Sequence, residues 1–187
     1  MHYFNGNLYV VTQTHLYKVS ADDKIITVGT LDLSATDQAS IADNGVNMVI
    51  VGGNGYYSDG STVTKITHAA YYPSDTVIFK DGYFIFNRSN TNQFFISKLY
   101  SVDFDASMYA SAEGSPDNIV GIATDSRNVW IFGTQSTEVW YNSGDSLFPF
   151  DRVSGSFSQR GCLSYKTISS INNTICWVAD DGMVYMA

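Results

Sequence analysis

Five times along the chain a turn-forming pair of residues leads into a strongly β-forming run. The pairs are Asn5-Gly6, Asn44-Gly45, Asp81-Gly82, Arg127-Asn128 and Asn172-Asn173, and the runs are LYVV, MVIV, YFIF, VWIF and ICWV. The second residues of the pairs fall at positions 6, 45, 82, 128 and 173, so the repeat length lies between 37 and 46 residues. Asn and Gly tolerate the positive φ of tight hairpin turns, which gives the repeat a mechanical reason. A further strand follows each run after a few polar residues: LYKVS, GYYSDG, FFISKL, TEVWYNSG and MVYM.

No segment between the repeats has a convincing helical period. Several short strands per unit of this length are the signature of a four-stranded propeller blade. Segments such as IITVGTL (25–31) and KLYSVDF (98–104) are expected as fourth strands. A β-sandwich would show turns at closer intervals without the longer period. The fold expected is all-β, a single propeller-like domain over residues 1–187 built of repeated antiparallel blades. The chain opens on the strand before the first turn and stops on the third strand of the fifth unit. The propeller is therefore expected to be incomplete at its C-terminal end, as in a fragment of a longer protein or one completed by a strand from elsewhere.

Hydrophobic residues make up 44% of the 187 and charged residues 15%, a globular balance long enough for one sizeable core. The net charge of −8 argues against direct nucleic-acid binding, which needs clustered Lys and Arg. Arg127, Arg152 and Arg160 come nearest to a cluster, but Asp125, Glu138, Asp145 and Asp151 are interleaved with them. No signal peptide and no transmembrane-length apolar run is evident, so no membrane association is expected. Cys162 and Cys176 read as free thiols in a reducing cytoplasm. The sequons at Asn87 and Asn172 carry little weight without a secretory signal.

The chemistry expected is slight. His2, His15 and His68 lie far apart, outside any metal-binding context. The segment Asp103-Phe-Asp105 starts like a calcium loop but has Met108 and Gly114 where Gly and Glu are needed. ATDSRNVW (123–130) keeps only Asp125 and Trp130 of a sialidase Asp-box. The neighbouring carboxylates Asp22-Asp23 and Asp180-Asp181 point to opposite faces of a strand or sit in turns. Gly52-Gly53-Asn54-Gly55 reads as a hairpin turn and not a phosphate cradle. The recurring aromatics read first as inter-blade packing, although they could line a sugar-binding surface. No catalytic residue, cofactor or metal is expected.

The stretch VWIFGTQSTEVWYNSGDSLFPFDRVSGSFSQRGCLS (129–164) resembles the packaged-DNA stabilisation proteins of short-tailed bacteriophages, the tail accessory or head-completion hub factors. The residues that carry the resemblance are Phe132-Gly133, Thr137 to Asn142, Gly144, Phe148 to Phe150, Gly155 and Gly161-Cys162, with SPDNIVGIATDSRNVW (115–130) as their lead-in. Such proteins are longer at both ends. The resemblance implies a non-enzymatic structural role in the virion tail at the head–tail junction, assembled in the bacterial host cytoplasm. A homo-oligomeric ring would link the portal and adaptor to tail proteins and retain the packaged DNA. A carbohydrate-binding or glycan-cleaving propeller, or a scaffold propeller of bacterial origin, are the other readings.

Only two glutamates stand against sixteen aspartates, and one of them, Glu138, lies within an apolar strand. A buried carboxylate must be paired or hydrogen-bonded. Glu138 is therefore expected to be a structural latch, with backbone amides or hydroxyls of the 142–155 turn or Arg152 as its partner. An intersubunit contact or a catalytic role are the alternatives. In the following loop, Leu147, Phe148 and Phe150 are apolar and form a candidate interface, unless the loop folds back over its blade.

Overall fold

The computed structural model describes residues 1–22, 24–34 and 39–187. Its strands form five antiparallel sheets in chain order. Blade 1 comprises β1 (His2–Phe4), β2 (Asn7–Val11), β3 (His15–Val19) and β4 (Ile25–Thr30). Blade 2 comprises β5 (Ser40–Asp43), β6 (Met48–Gly52), β7 (Asn54–Ser58) and β8 (Val63–Lys65). Blade 3 comprises β9 (Val77–Lys80), β10 (Tyr83–Asn87), β11 (Gln93–Ser97) and β12 (Phe104–Ser111). Blade 4 comprises β13 (Ile119–Thr124), β14 (Asn128–Gly133), β15 (Thr137–Asn142) and β16 (Phe150–Arg152). Blade 5 has three strands, β17 (Ser169–Ile171), β18 (Thr174–Val178) and β19 (Val184–Met186). The expected propeller architecture holds, with an incomplete last blade.

Three of the five turns form by the expected chemistry. Asn5 and Gly6 (φ 45° and 77°), Asp81 and Gly82 (50° and 89°), and Asn172 and Asn173 (48° and 62°) all take the left-handed region, as two-residue hairpins require. At the second turn only Gly45 does so, and the Asn44 carboxamide accepts the Val46 and Asn47 amides. The fourth differs from expectation. Arg127 and Asn128 do not adopt positive φ; instead Asp125 Oδ1 accepts both of their amides, at 2.7 and 2.6 Å, and closes a longer loop.

The fourth strands need one correction as well. IITVGTL contains β4, but KLYSVDF is mostly a turn, and β12 begins only at its last residue, Phe104. Tyr100 sits there at φ 50° with its amide on the Gly82 carbonyl, which draws the segment back over the hairpin tip.

The core lies between blades. Phe4, Leu16, Met48 and Ile50 join blades 1 and 2, and Val49, Val51, Phe84, Phe86 and Phe104 join blades 2 and 3. Ile85, Phe94, Ile96, Ile131, Trp140 and Phe150 join blades 3 and 4, while Phe132, Ile175 and Trp177 join blades 4 and 5. Because side chains alternate along a strand, each blade sends successive residues to opposite neighbours: Phe84 and Phe86 one way, Ile85 the other. The first strands neighbour one another, β5 with β9 and β9 with β13, and form the inner ring. A cavity of about 290 Å³ brings together Met1, His2 and Ser40 with Tyr165 and Ile168, from blades 1, 2 and the start of blade 5. Among the described residues no buried cluster joins blade 5 to blade 1, and Tyr3 and Ile25 at one end and Ile171 and Met186 at the other are exposed.

Candidate functional site

Glu138 lies on β15 one residue after Thr137 and shares a strand face with Trp140, two positions on. Its side chain is almost wholly buried, at 1% exposure. Oε1 accepts the Gly114 amide at 2.5 Å and the Arg152 Nη1 at 3.2 Å, while Oε2 accepts the Trp140 indole N–H at 3.0 Å. One carboxylate thus ties together β15, the neighbouring β16 and the segment that arrives from blade 3. Charge-assisted bonds of this kind compensate a buried carboxylate for its lost hydration. Arg152 is half-exposed and keeps much of its charge in water. The structure therefore brings Glu138 and Arg152 together. The backbone amide comes from Gly114, however, and not from the 142–155 turn, and the indole partner was not anticipated.

Gly114 is where this contact leaves no room for a side chain, since a Cβ there would collide with Phe157 and with Glu138 Oε1. A second carboxylate performs a parallel task on the same segment. Asp117 Oδ2 accepts the Gln135 and Ser136 amides at 2.6 and 3.0 Å, and its Oδ1 accepts the Ser136 hydroxyl at 2.7 Å. Together Glu138 and Asp117 fasten residues 114–117 to the β14–β15 hairpin.

The loop between β15 and β16 corrects the candidate interface. Phe150 is buried at 2% exposure in the core between blades 3 and 4, with its ring 5.9 Å from that of Tyr83. Phe148 is half-buried, 5.7 Å from Phe94. The Ser143 amide bonds the Pro149 carbonyl, and Asp145 Oδ1 accepts the Leu147 amide, so the loop folds back and presses both rings onto blade 3. Leu147 alone projects, at 81% exposure.

The remaining candidates resolve into structural contacts. His2 pairs with Asp43 at 2.6 Å and joins the inner strands of blades 1 and 2. His15 stacks on Tyr17, and His68 accepts the Ala70 amide. Asp105 accepts both the amide and the hydroxyl of Ser107, which hold its carboxyl below the ordinary range. Asp181 takes the Met183 amide and the Tyr185 hydroxyl, and Asp180 takes the Gly161 amide. Asp22 pairs with Lys24, while Asp23 lies outside the described residues. Asn87 is fully buried with its carboxamide bonded to Asp75 and Thr76, which leaves that sequon inaccessible. Gly53 exchanges backbone bonds with Ser74 at a hairpin tip. Among the described residues no three His, Cys, Asp or Glu side chains group as metal ligands.

Among solved structures the chain is similar to the computationally designed Ika4 protein, with 17% identity and a TM-score of 0.52, covering 82% of this chain and 94% of that one. It is likewise similar to BamB from Moraxella catarrhalis, with 13% identity and a TM-score of 0.56, covering 96% of this chain and 56% of BamB. At these identities the likeness is one of fold alone. No curated protein sequence matches. The family described as bacteriophage P22 Gp10, beta-propeller, matches residues 1–183. With five successive blades and a family match over nearly its whole length, the chain belongs to the phage-stabilisation family of bacteriophage P22 Gp10, as a β-propeller structural protein of a phage.

Proposed function

We propose that this protein acts without enzymatic activity at the head–tail junction of a phage virion, where copies in a ring link the portal and adaptor to the tail and help to retain packaged DNA. The family match across residues 1–183 carries this reading. The net charge of −8 agrees with it, because an acidic wall beside the DNA exit repels the phosphate backbone and does not grip it. In this role the blades serve as rigid spacers, and the Glu138–Arg152 contact keeps the 142–155 loop seated so that Leu147 is presented from a fixed position.

The test is co-sedimentation of the folded chain with purified portal–adaptor complexes from its own phage. Recovery in the pellet at a fixed stoichiometry is expected. A folded chain that stays in the supernatant at saturating complex contradicts docking by these five blades.

A further inference from the structure

An asparagine followed by glycine is prone to lose its side-chain amide spontaneously. Glycine carries no Cβ, so its backbone nitrogen can approach the neighbouring carboxamide unhindered. The chain has three such pairs, Asn5-Gly6, Asn44-Gly45 and Asn54-Gly55, and the fold treats them differently. At Asn44 the reacting groups are engaged: Oδ1 accepts the Val46 and Asn47 amides at 2.9 and 2.7 Å, and the Gly45 amide donates to Asp43 Oδ1 at 2.9 Å. A carboxylate beside that N–H also opposes loss of its proton. At Asn54 the carboxamide donates to the Asp32 carbonyl at 2.6 Å, and Gly55 is buried within β7.

At the first pair both groups are available. Asn5 and Gly6 are exposed at the tip of the β1–β2 hairpin, and a Cβ built on Gly6 would meet nothing within 4 Å. Among the described residues neither the Asn5 carboxamide nor the Gly6 amide makes a hydrogen bond. The Asn7 side-chain amide instead donates to the Asn5 carbonyl at 2.9 Å. That bond polarises the peptide unit between Asn5 and Gly6 and makes the Gly6 N–H easier to deprotonate.

We propose that Asn5 is a site of spontaneous deamidation in the folded protein. The Gly6 nitrogen, deprotonated by hydroxide, attacks the Asn5 Cγ and closes a five-membered succinimide. The carboxamide nitrogen takes up a proton from water and leaves as ammonia. A water molecule then opens the ring at one carbonyl or the other, giving aspartate at position 5 or isoaspartate, which has one more backbone carbon. The aspartate form suits the left-handed turn and adds one negative charge. The isoaspartate form lengthens a two-residue loop whose span is set by the Phe4–Asn7 pair. Phe4, in the core between blades 1 and 2, and His2, paired with Asp43, lie on the same strand, so this product loosens the inner strand of blade 1. The site follows from the turn and its hydrogen bonds and does not rest on the assembly role proposed above.

The test holds the folded chain and a urea-unfolded sample at mildly alkaline pH, with aliquots taken over time and digested at acidic pH, where the reaction is slow. Peptide mass spectrometry reads the conversion at each asparagine, and isoaspartyl methyltransferase marks the isoaspartate product. In the folded chain Asn5 should convert at least about tenfold faster than Asn44 or Asn54, whose hydrogen bonds must break before a ring can close. In urea the three rates should converge. Asn44 or Asn54 keeping pace with Asn5 in the folded chain overturns the proposal. So does an Asn5 that stays intact in the folded chain while it converts in urea, which would mean that the turn itself blocks the attack. The purified isoaspartate form should exchange the amide protons of β1 and β2 faster than the unmodified chain, and equal exchange would contradict the loosening of blade 1.

Discussion

The Gly114 amide donates to Glu138 Oε1 at 2.5 Å, so the segment that enters blade 4 is fastened to the third strand of that same blade. Glu138→Gln removes the charge that strengthens all three bonds and leaves Arg152 without its counterion. Hydrogen bonds to charged groups contribute about 1.5–3 kcal/mol, so a loss of that order is expected. Urea denaturation measures it, and an unchanged midpoint contradicts the latch.

Gly114→Ala tests the same junction from the other side. The new methyl meets the Phe157 ring and the Glu138 carboxylate, and neither can withdraw without breaking a contact. Overpacking of this kind costs about 1–3 kcal/mol. The denaturation midpoint should fall with the slope unchanged.

The loop separates packing from exposure within four residues. Phe150→Ala should lower stability by about 3–5 kcal/mol, as for other buried aromatic rings. Leu147→Ser should stay within about 0.5 kcal/mol of the parent. Thermal unfolding distinguishes the two, and on the proposed assembly role only the second variant reports on docking.

Asn172 adopts φ 48°, a conformation that costs a β-branched residue roughly 1–2 kcal/mol. Asn172→Val should therefore destabilise by about that amount, and Asn172→Gly should be close to neutral. A reversed order in thermal unfolding would show that the turn is not what holds this hairpin.

Asp125 gives the pH dependence a sign. Burial raises its carboxyl, but the bonds from the Trp130 indole and the Arg127 and Asn128 amides outweigh that, and the net shift is downward. A carboxyl held below its ordinary range in the folded chain stays ionised there while its unfolded counterpart takes up a proton. Its stabilisation is complete above the ordinary carboxylate range and is lost as pH falls through the folded value. Asp125→Asn should flatten that part of the stability profile.

Blade boundaries were legible because they rest on local chemistry. A pair such as Asp81-Gly82 needs only its own backbone preferences to form a hairpin. Arg127-Asn128 misled for the same reason: the residue that makes the turn is Asp125, whose carboxylate replaces the missing positive φ. The Glu138 cluster was legible in part. Burial of a carboxylate follows from its apolar neighbours, and Arg152 is close in sequence. Gly114 is 24 residues away and is brought near only by the path of the chain between blades. Phe148 and Phe150 looked like surface anchors because the Phe94 and Tyr83 rings that receive them belong to another blade.

Among the described residues each of four buried clusters is shared by two consecutive blades, so stability is carried link by link, as in a chain of coupled springs. Blade 3, clasped by buried clusters on both sides, should retain its amide protons longer than the Leu147 loop under native conditions.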